Sequence, residues 1–393
     1  MMITAQLEKT ELPKTHEEFT DKYFLRSKEI LENDNLNPFV RAQVFIRKGP
    51  GNVHGIEQAL EVLEKYSNIR ENGHVYALPE GSRYDSTETL MVIEAPIQDI
   101  ITLETMYLGL MTEATTLANG GKPVNLENVT ERMAAVVKAA DGIPVSYFGA
   151  RHWGFSMDAD IAWHAYLGGA ETCSTDAGSA RYGSKGMGTI PHALENIYAW
   201  MQGSNNAVVE AVKAFDRHMD KSIPRIALID YNNKEVDDAV ASAVALEGRL
   251  YGVRIDTCGE NVAQGAAKTL DDVAEVLGKE VCIPKEHEKY WAGSGVTVTG
   301  VYAVRKALDE AGYEDVKIIL SSGFGKPQKV EAFVEASKRL GRNIVDGFGV
   351  GGVYDSMTAS MDIVAVGDTI DTMTPVCKVG RGYKPNDRLV RYI

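Results

Sequence analysis

The sequence has little of what disulfide-stapled or zinc-stapled domains depend on. Its four cysteines, Cys173, Cys258, Cys282 and Cys377, are scattered along 393 residues without a C-x-x-C pair, so neither a disulfide framework nor a zinc knuckle is suggested. Reduced, mostly buried thiols and no zinc are expected. No apolar run approaches the roughly 18 residues of a membrane span, and no low-complexity tract interrupts the chain. Residues Met1 to Lys14 carry mixed charge and lack the apolar core of a signal peptide, so a soluble cytoplasmic protein is expected. Positive charge is in deficit: 41 Lys and Arg against 55 Asp and Glu leave a net charge of −14. That balance argues against a general binder of nucleic acid or of membrane surfaces. No G-x-G-x-x-G follows the first strand-like run of the alternating region, which counts against a Rossmann dinucleotide site.

What remains is ordinary globular composition, 44% hydrophobic and 24% charged, organised in two styles. Residues 1–140 read as an α+β unit. It has a capped helical start at Thr20-Asp21-Lys22-Tyr23, strands over 40–46, 75–78 and 90–95, and helices over 55–66, 97–118 and 125–140. Over 141–366 the rhythm becomes strand–helix alternation. Strands are expected at 145–148, 169–173, 188–190, 225–229, 250–255, 317–320, 344–348 and 363–366, separated by helical patterns. Seven or eight βαβ units favour a parallel sheet rolled into an irregular α/β barrel over an open sheet. The basic residues 367–393 either pack back on the first unit or form a solvated tail.

Chemistry gathers where the apolar runs end, because the carboxyl ends of parallel strands share one face of such a fold. Val253-Arg254-Ile255-Asp256 closes one run with a cation and a carboxylate two residues apart, pointing the same way; they could serve a ligand or form a structural ion pair. Asp230 ends another and could hold Mg²⁺ or a ribose hydroxyl, or merely cap the following helix. Phe148-Gly149-Ala150-Arg151 offers an aromatic face and a guanidinium to a flat acid, or a core ring beside a surface arginine. His192 begins a helix, where a phosphate would be welcomed, though loop histidines are often only structural. Ser321-Ser322-Gly323-Phe324-Gly325 and Gly347-Phe348-Gly349-Val350-Gly351-Gly352 are glycine-rich turns after late strands. They suit a phosphate cradle that needs close approach and positive φ.

These residues together resemble the nicotinate phosphoribosyltransferase family and, more distantly, nicotinamide phosphoribosyltransferase, over nearly the whole chain. Further landmarks are Leu78-Pro79-Glu80-Gly81, Glu104-Thr105 with Gly109, and Gly188-Thr189-Ile190-Pro191-His192-Ala193-Leu194. The resemblance implies a type II phosphoribosyltransferase fold, with an α+β N-terminal domain beside an irregular α/β barrel and active sites shared in a homodimer or higher oligomer. It implies transfer of phosphoribosyl from 5-phosphoribosyl 1-pyrophosphate to nicotinic acid in NAD biosynthesis, with Mg²⁺ and with ATP as co-substrate. Phe148 would stack on the pyridine ring, with Tyr23 and Asp21 arriving from the other subunit. Arg151 would lie by the base and pyrophosphate, and Arg254 and Asp256 by base and ribose. Asp230 would approach ribose or Mg²⁺, while Ser322, Gly323, Gly351 and Gly352 would hold the 5′-phosphate. His192 would take phosphate from ATP. Glu171 stands where relatives carry an aspartate that bears on the base.

The nearest alternatives keep the fold and change the base to nicotinamide or quinolinate. A sugar-phosphate aldolase or isomerase would need a Schiff-base lysine or a carboxylate base on a middle strand, and Lys317 stands at a strand start. A non-catalytic nucleotide sensor would not need His192, Asp230, Arg254 and Asp256 intact.

Overall fold

The computed structural model describes residues 10–393, so most of the charged stretch from Met1 to Lys14 lies outside the described residues. In chain order the first strands are β1 (Phe39–Ile46), β2 (Gly51–Asn52), β3 (His74–Ala77), β4 (Arg83–Tyr84) and β5 (Thr89–Pro96). The alternating region supplies β6 (Val145–Tyr147), β7 (Thr172–Cys173), β8 (Ile226–Leu228), β9 (Gly252–Ile255), β10 (Lys317–Leu320) and β11 (Gly347–Val350). The chain closes with β12 (Ala359–Gly367), β13 (Thr374–Pro375) and β14 (Val390–Arg391).

Two large sheets result. One runs β13-β12-β1-β5-β3-β14 and is antiparallel throughout. β5, between β1 and β3, is buried along its whole length, and its apolar run without alternation is what burial on both faces requires. The other sheet is parallel, in the order β7-β6-β11-β10-β9-β8. Its crossovers are the expected helices, among them Asp158–Leu167, Ala207–His218, Glu235–Ala245, Val298–Glu310 and Pro327–Leu340. The fold is thus mixed α/β, a parallel sheet beside an antiparallel one.

Three expectations about the strands fail. Residues 188–190 form no strand: that stretch lies unpaired beyond β7, and the Gly188 carbonyl is taken by the Arg26 guanidinium. Residues 363–366 belong to β12, which pairs antiparallel with β1 and is no part of the parallel sheet. The alternating architecture therefore ends before residue 359, with six strands rather than seven or eight. The last parallel strand also begins later than expected, at Gly347. The Asp346 side chain just before it accepts the Ile318 amide at 2.9 Å.

The expected helix over 97–118 is broken into Ile97–Ile100 and Glu104–Ala118, with the Thr102 carbonyl turned to the Thr20 hydroxyl at 2.8 Å. The second piece is buried on nearly every side and lies between the sheets. Thr112 Oγ1 donates to the Arg151 carbonyl at 3.2 Å and accepts the Ala359 amide at 2.9 Å. Gly109 lets this helix come close to the Trp153 backbone, where a Cβ would collide. The C-terminal segment is anchored by strand pairing of β14 with β3 and by the Arg388–Glu88 and Arg381–Asp362 ion pairs.

Candidate active site

A cavity of about 790 Å³ opens at the carboxyl ends of the parallel strands. It is lined by Asp21, Tyr23, Phe148, Arg151, His192, Arg254, Asp256, Ser322, Gly323, Gly351 and Gly352, so residues far apart in sequence converge on one rim. Although the chain is acidic overall, cations outnumber carboxylates on this lining: Arg26, Arg47, Lys48, Lys378 and Arg381 join Arg151 and Arg254. An anionic ligand meets a local field opposite to the global one.

At one end, His192 opens the helix His192–Gln202 and its Nε2 lies 3.0 Å from Asp230 Oδ1. Asp230, just past β8, is fully buried and its other oxygen receives the Lys378 ammonium. It caps no helix; the following one begins at Glu235. Burial alone would push the Asp230 carboxyl up, but Lys378 and His192 outweigh it and hold the group well below the usual range. Burial also favours a neutral His192, and the Lys378 charge lowers its pKa further, against the pull of Asp230. The Lys378 ammonium is held charged by Asp230 and Asp256, which overcome the burial penalty. With its Nε2–H donated to Asp230, His192 presents a free Nδ1 lone pair.

Beside this triad, Arg254 and Asp256 leave β9 in the same direction. Arg254 Nη2 donates to the Ile190 carbonyl at 3.0 Å, and its Nη1 is 4.0 Å from Asp256 Oδ2, a loose pair that leaves both groups able to meet a ligand. Ser321 Oγ donates to Asp256 Oδ1 at 2.8 Å. Ligand atoms of His192, Asp230 and Asp256 all lie within 4.8 Å of one another.

The glycine-rich turns differ from each other. Ser322 and Gly323 both have positive φ, 73° and 80°, whereas Gly347, Gly349, Gly351 and Gly352 do not. The second turn needs glycine for approach instead. A Cβ on Gly349 would sit 2.6 Å from the Phe148 ring, and one on Gly351 would sit 2.8 Å from His152. Lys329, absent from the expected set, donates to the Ser322 carbonyl at 2.9 Å, and burial brings its pKa down to about 8. A half-desolvated ammonium beside a positive-φ turn is a phosphate-binding arrangement.

At the opposite end, Arg151 Nη1 donates to Tyr23 Oη at 3.1 Å and to Glu104 Oε1 at 3.3 Å. Asp21 Oδ2 accepts from Thr105 Oγ1 at 3.0 Å. Burial pushes the Glu104 carboxyl up to about 8, with Asp21 and Asp362 adding to the rise and Arg151 opposing it.

Of the residues expected at the base end, Asp21, Tyr23 and Phe148 line the cavity and Glu171 does not. Tyr23 and Asp21 are expected from a second subunit; within this chain Tyr23 itself reaches Arg151, and the Lys22–Asn33 helix that carries it is tied to the parallel-sheet domain through Lys22–Asp176 at 2.7 Å. Phe148 lines the cavity and is partly exposed, with its ring beside Gly349, so Phe148 and Tyr23 both offer an aromatic surface to a flat ligand. Glu171 is exposed and does not line the cavity. It precedes β7, and side-chain alternation sends Thr172 inward in its place. Sequence reasoning missed Lys378 and Lys329, and the position of Glu104 on the cavity wall.

Comparison with known proteins places this geometry in context. A family model described as quinolinate phosphoribosyl transferase, N-terminal domain, matches residues 21–115. A nicotinate phosphoribosyltransferase of Mycobacterium tuberculosis is 27% identical over 294 residues, which is 74% of this chain and 50% of the relative. The chain spans about half the length of the curated relatives it matches. Among solved structures, the nicotinate phosphoribosyltransferase of Porphyromonas gingivalis superposes with a TM-score of 0.58 at 15% identity, covering 92% of this chain and 94% of that one. That of Vibrio cholerae gives 0.60 at 11% identity, covering 92% and 87%. The fold is shared with both. No helix among the described residues is long and apolar enough to cross a membrane.

Proposed function

We propose that this chain, which is related to the nicotinate phosphoribosyltransferase family by sequence and by fold, joins nicotinic acid to 5-phosphoribosyl 1-pyrophosphate, giving nicotinate mononucleotide and pyrophosphate for NAD biosynthesis. The observation that carries the reading is the polarity of one cavity: Tyr23 and Arg151 suit a flat aromatic acid at one end, and a histidine–aspartate–lysine triad with two glycine turns suits phosphates at the other.

Glycosyl transfer through an oxocarbenium-like state asks for positioning and for charge near the cation and the departing pyrophosphate. Arg151 and Tyr23 hold the acid so that its ring nitrogen faces the sugar. Arg254 and Asp256 flank the ribose. Ser322, Gly323 and Gly352, with Lys329 behind them, receive the 5′-phosphate, while Lys378, Arg381 and Arg47 face the pyrophosphate. ATP is the co-substrate in this reading: Asp230 fixes the Nε2 proton of His192, and Nδ1 accepts a phosphoryl group whose charge Lys378 stands beside. Both Asp230 oxygens are already engaged, and imidazole suits Mg²⁺ poorly. Asp256 is therefore the carboxylate available to Mg²⁺, which would chiefly neutralise the pyrophosphate.

A quinolinate reading is favoured by the N-terminal family match alone. Its second carboxylate would face Glu104 and Asp21 on the same wall as Arg151, which disfavours a dianion. The test is product analysis with the phosphoribosyl donor and each of nicotinate, nicotinamide and quinolinate, with and without ATP. Nicotinate mononucleotide is expected, formed faster with ATP. Reaction with nicotinamide or quinolinate alone overturns the substrate assignment. Association into a homodimer or larger homo-oligomer, in the cytoplasm, completes the proposal.

A further inference from the structure

The base end of the cavity holds more negative charge than an acid-binding site needs. Arg151 is the guanidinium there, and two carboxyl groups line the same wall, Glu104 and Asp21. Asp21 is already engaged by the Thr105 hydroxyl and lies 3.4 Å from Tyr23 Oη. Glu104 is engaged by Arg151 itself: its Oε1 is 3.3 Å from Nη1, the same nitrogen that donates to Tyr23. The Glu104 side chain is 6% exposed and that of Arg151 34%, so the pair sits on the cavity wall with the guanidinium facing inward.

A flat acid entering this site must take hydrogen bonds from a guanidinium that Glu104 already uses. We propose that Glu104 is a specificity-determining residue of the base subsite, competing with the carboxylate of an aromatic acid for Arg151. This inference rests on the proposed function and adds to it how the site tells the acid from its amide. As a neutral carboxylic acid, Glu104 releases Arg151 and can itself donate to the incoming carboxylate. As a carboxylate, it keeps Arg151 and repels the acid, while an uncharged amide is little affected.

Position supports the switch. Glu104 is the first residue of a helix buried on nearly all sides, and the groups that face it are Arg151, Tyr23, Asp21, Asp362 and the hydroxyl of Tyr107. Arg151 alone favours the charged form. Burial, Asp21 and Asp362 favour the neutral one and set the changeover at about 8. The acid-binding form therefore prevails below that pH and is depleted above it. Because apparent affinity scales with the competent fraction, the KM for nicotinate should rise about tenfold between roughly pH 7 and roughly pH 9.

The experiment follows the KM for nicotinate, and for nicotinamide as the uncharged comparator, over about pH 6.5 to about pH 9.5 in the wild type, in Glu104→Gln and in Glu104→Ala. Melting curves confirm that each variant is folded, and the two variants make different packing demands on the site. The expected result is a rise for nicotinate in the wild type, a flat profile in both variants, and no matching rise for nicotinamide. Turnover of nicotinate with the same pH rise in wild type and variants overturns the proposal alone. Absence of nicotinate turnover in all three proteins at every pH overturns the parent reading, and this one with it.

Discussion

Lys378, from the segment between β13 and β14, forms a buried ion pair with Asp230 at the end of β8. The antiparallel sheet thereby delivers a charge into the active site built by the parallel one. Removing one partner of a buried pair typically costs about 3–5 kcal/mol, because the other charge is left without compensation. Lys378→Met should therefore lower unfolding stability by about that amount at neutral pH, measured by urea denaturation. The Asp230 carboxyl is held below its ordinary value in the folded protein. Its contribution is thus present above the unfolded value of about 4 and is lost as pH falls below it. The gap between wild type and variant should narrow in that acid range and remain constant above it.

His192 is the residue whose loss should separate coupling from transfer. In His192→Ala the sugar-binding and base-binding groups stay in place, so slow ATP-independent transfer should persist while stimulation by ATP disappears. Stimulation unchanged in the variant would remove the phosphoryl-acceptor role and leave the transferase reading standing.

Arg151 is expected to matter to the base more than to the sugar donor. Charge-assisted hydrogen bonds contribute about 1.5–3 kcal/mol, so Arg151→Ala should raise the KM for nicotinate roughly 10- to 150-fold. Tyr23→Phe removes one hydroxyl and keeps the ring, and a few-fold rise is expected. A larger effect on the phosphoribosyl donor than on nicotinate would place Arg151 at the wrong end of the cavity.

Much of this site was legible from strand ends. Asp230, Arg254 and Asp256 each close an apolar run, and a parallel strand delivers its last residues to one rim, so their convergence follows from topology. Residues 188–190 misled because Gly188-Thr189-Ile190, ended by Pro191, looks like a short strand, yet only pairing makes it one, and none is available there. Glu171 misled because β7 is two residues long, too short for composition to show which side chain faces inward. Lys378 carries no local signal: its partner lies across the molecule, and in sequence it is one cation in a basic tail. Glu104 could have been found, since a carboxylate heading the apolar run Met106 to Met111 demands a partner.

Gly349 tests the packing behind the base subsite. With a Cβ 2.6 Å from the Phe148 ring, Gly349→Ala forces that ring or β11 to move. Overpacking of this kind costs about 1–3 kcal/mol, read as a lowered melting temperature. Because Phe148 lines the cavity, a shift of its ring should lower nicotinate affinity as well. Gly352→Ala, where a Cβ would meet nothing within 4 Å, should leave stability nearly unchanged and serves as the control.

Glu195 lies one turn beyond His192 on the same helix, fully buried, and neither of its carboxylate oxygens has a hydrogen-bond partner. Burial, reinforced by Asp230, raises its pKa well above the ordinary value. A raised folded pKa means that its contribution to stability is intact below the unfolded value of about 4.3 and is lost as pH rises toward the folded one. Glutamine keeps the shape and cannot ionise. Glu195→Gln should therefore gain little at about pH 4 and progressively more stability relative to wild type as pH rises, until the folded-state pKa is passed. Urea denaturation across that range reads the difference directly. A constant difference at all pH values would mean that Glu195 does not titrate differently on unfolding, and that a partner fills the space beside it.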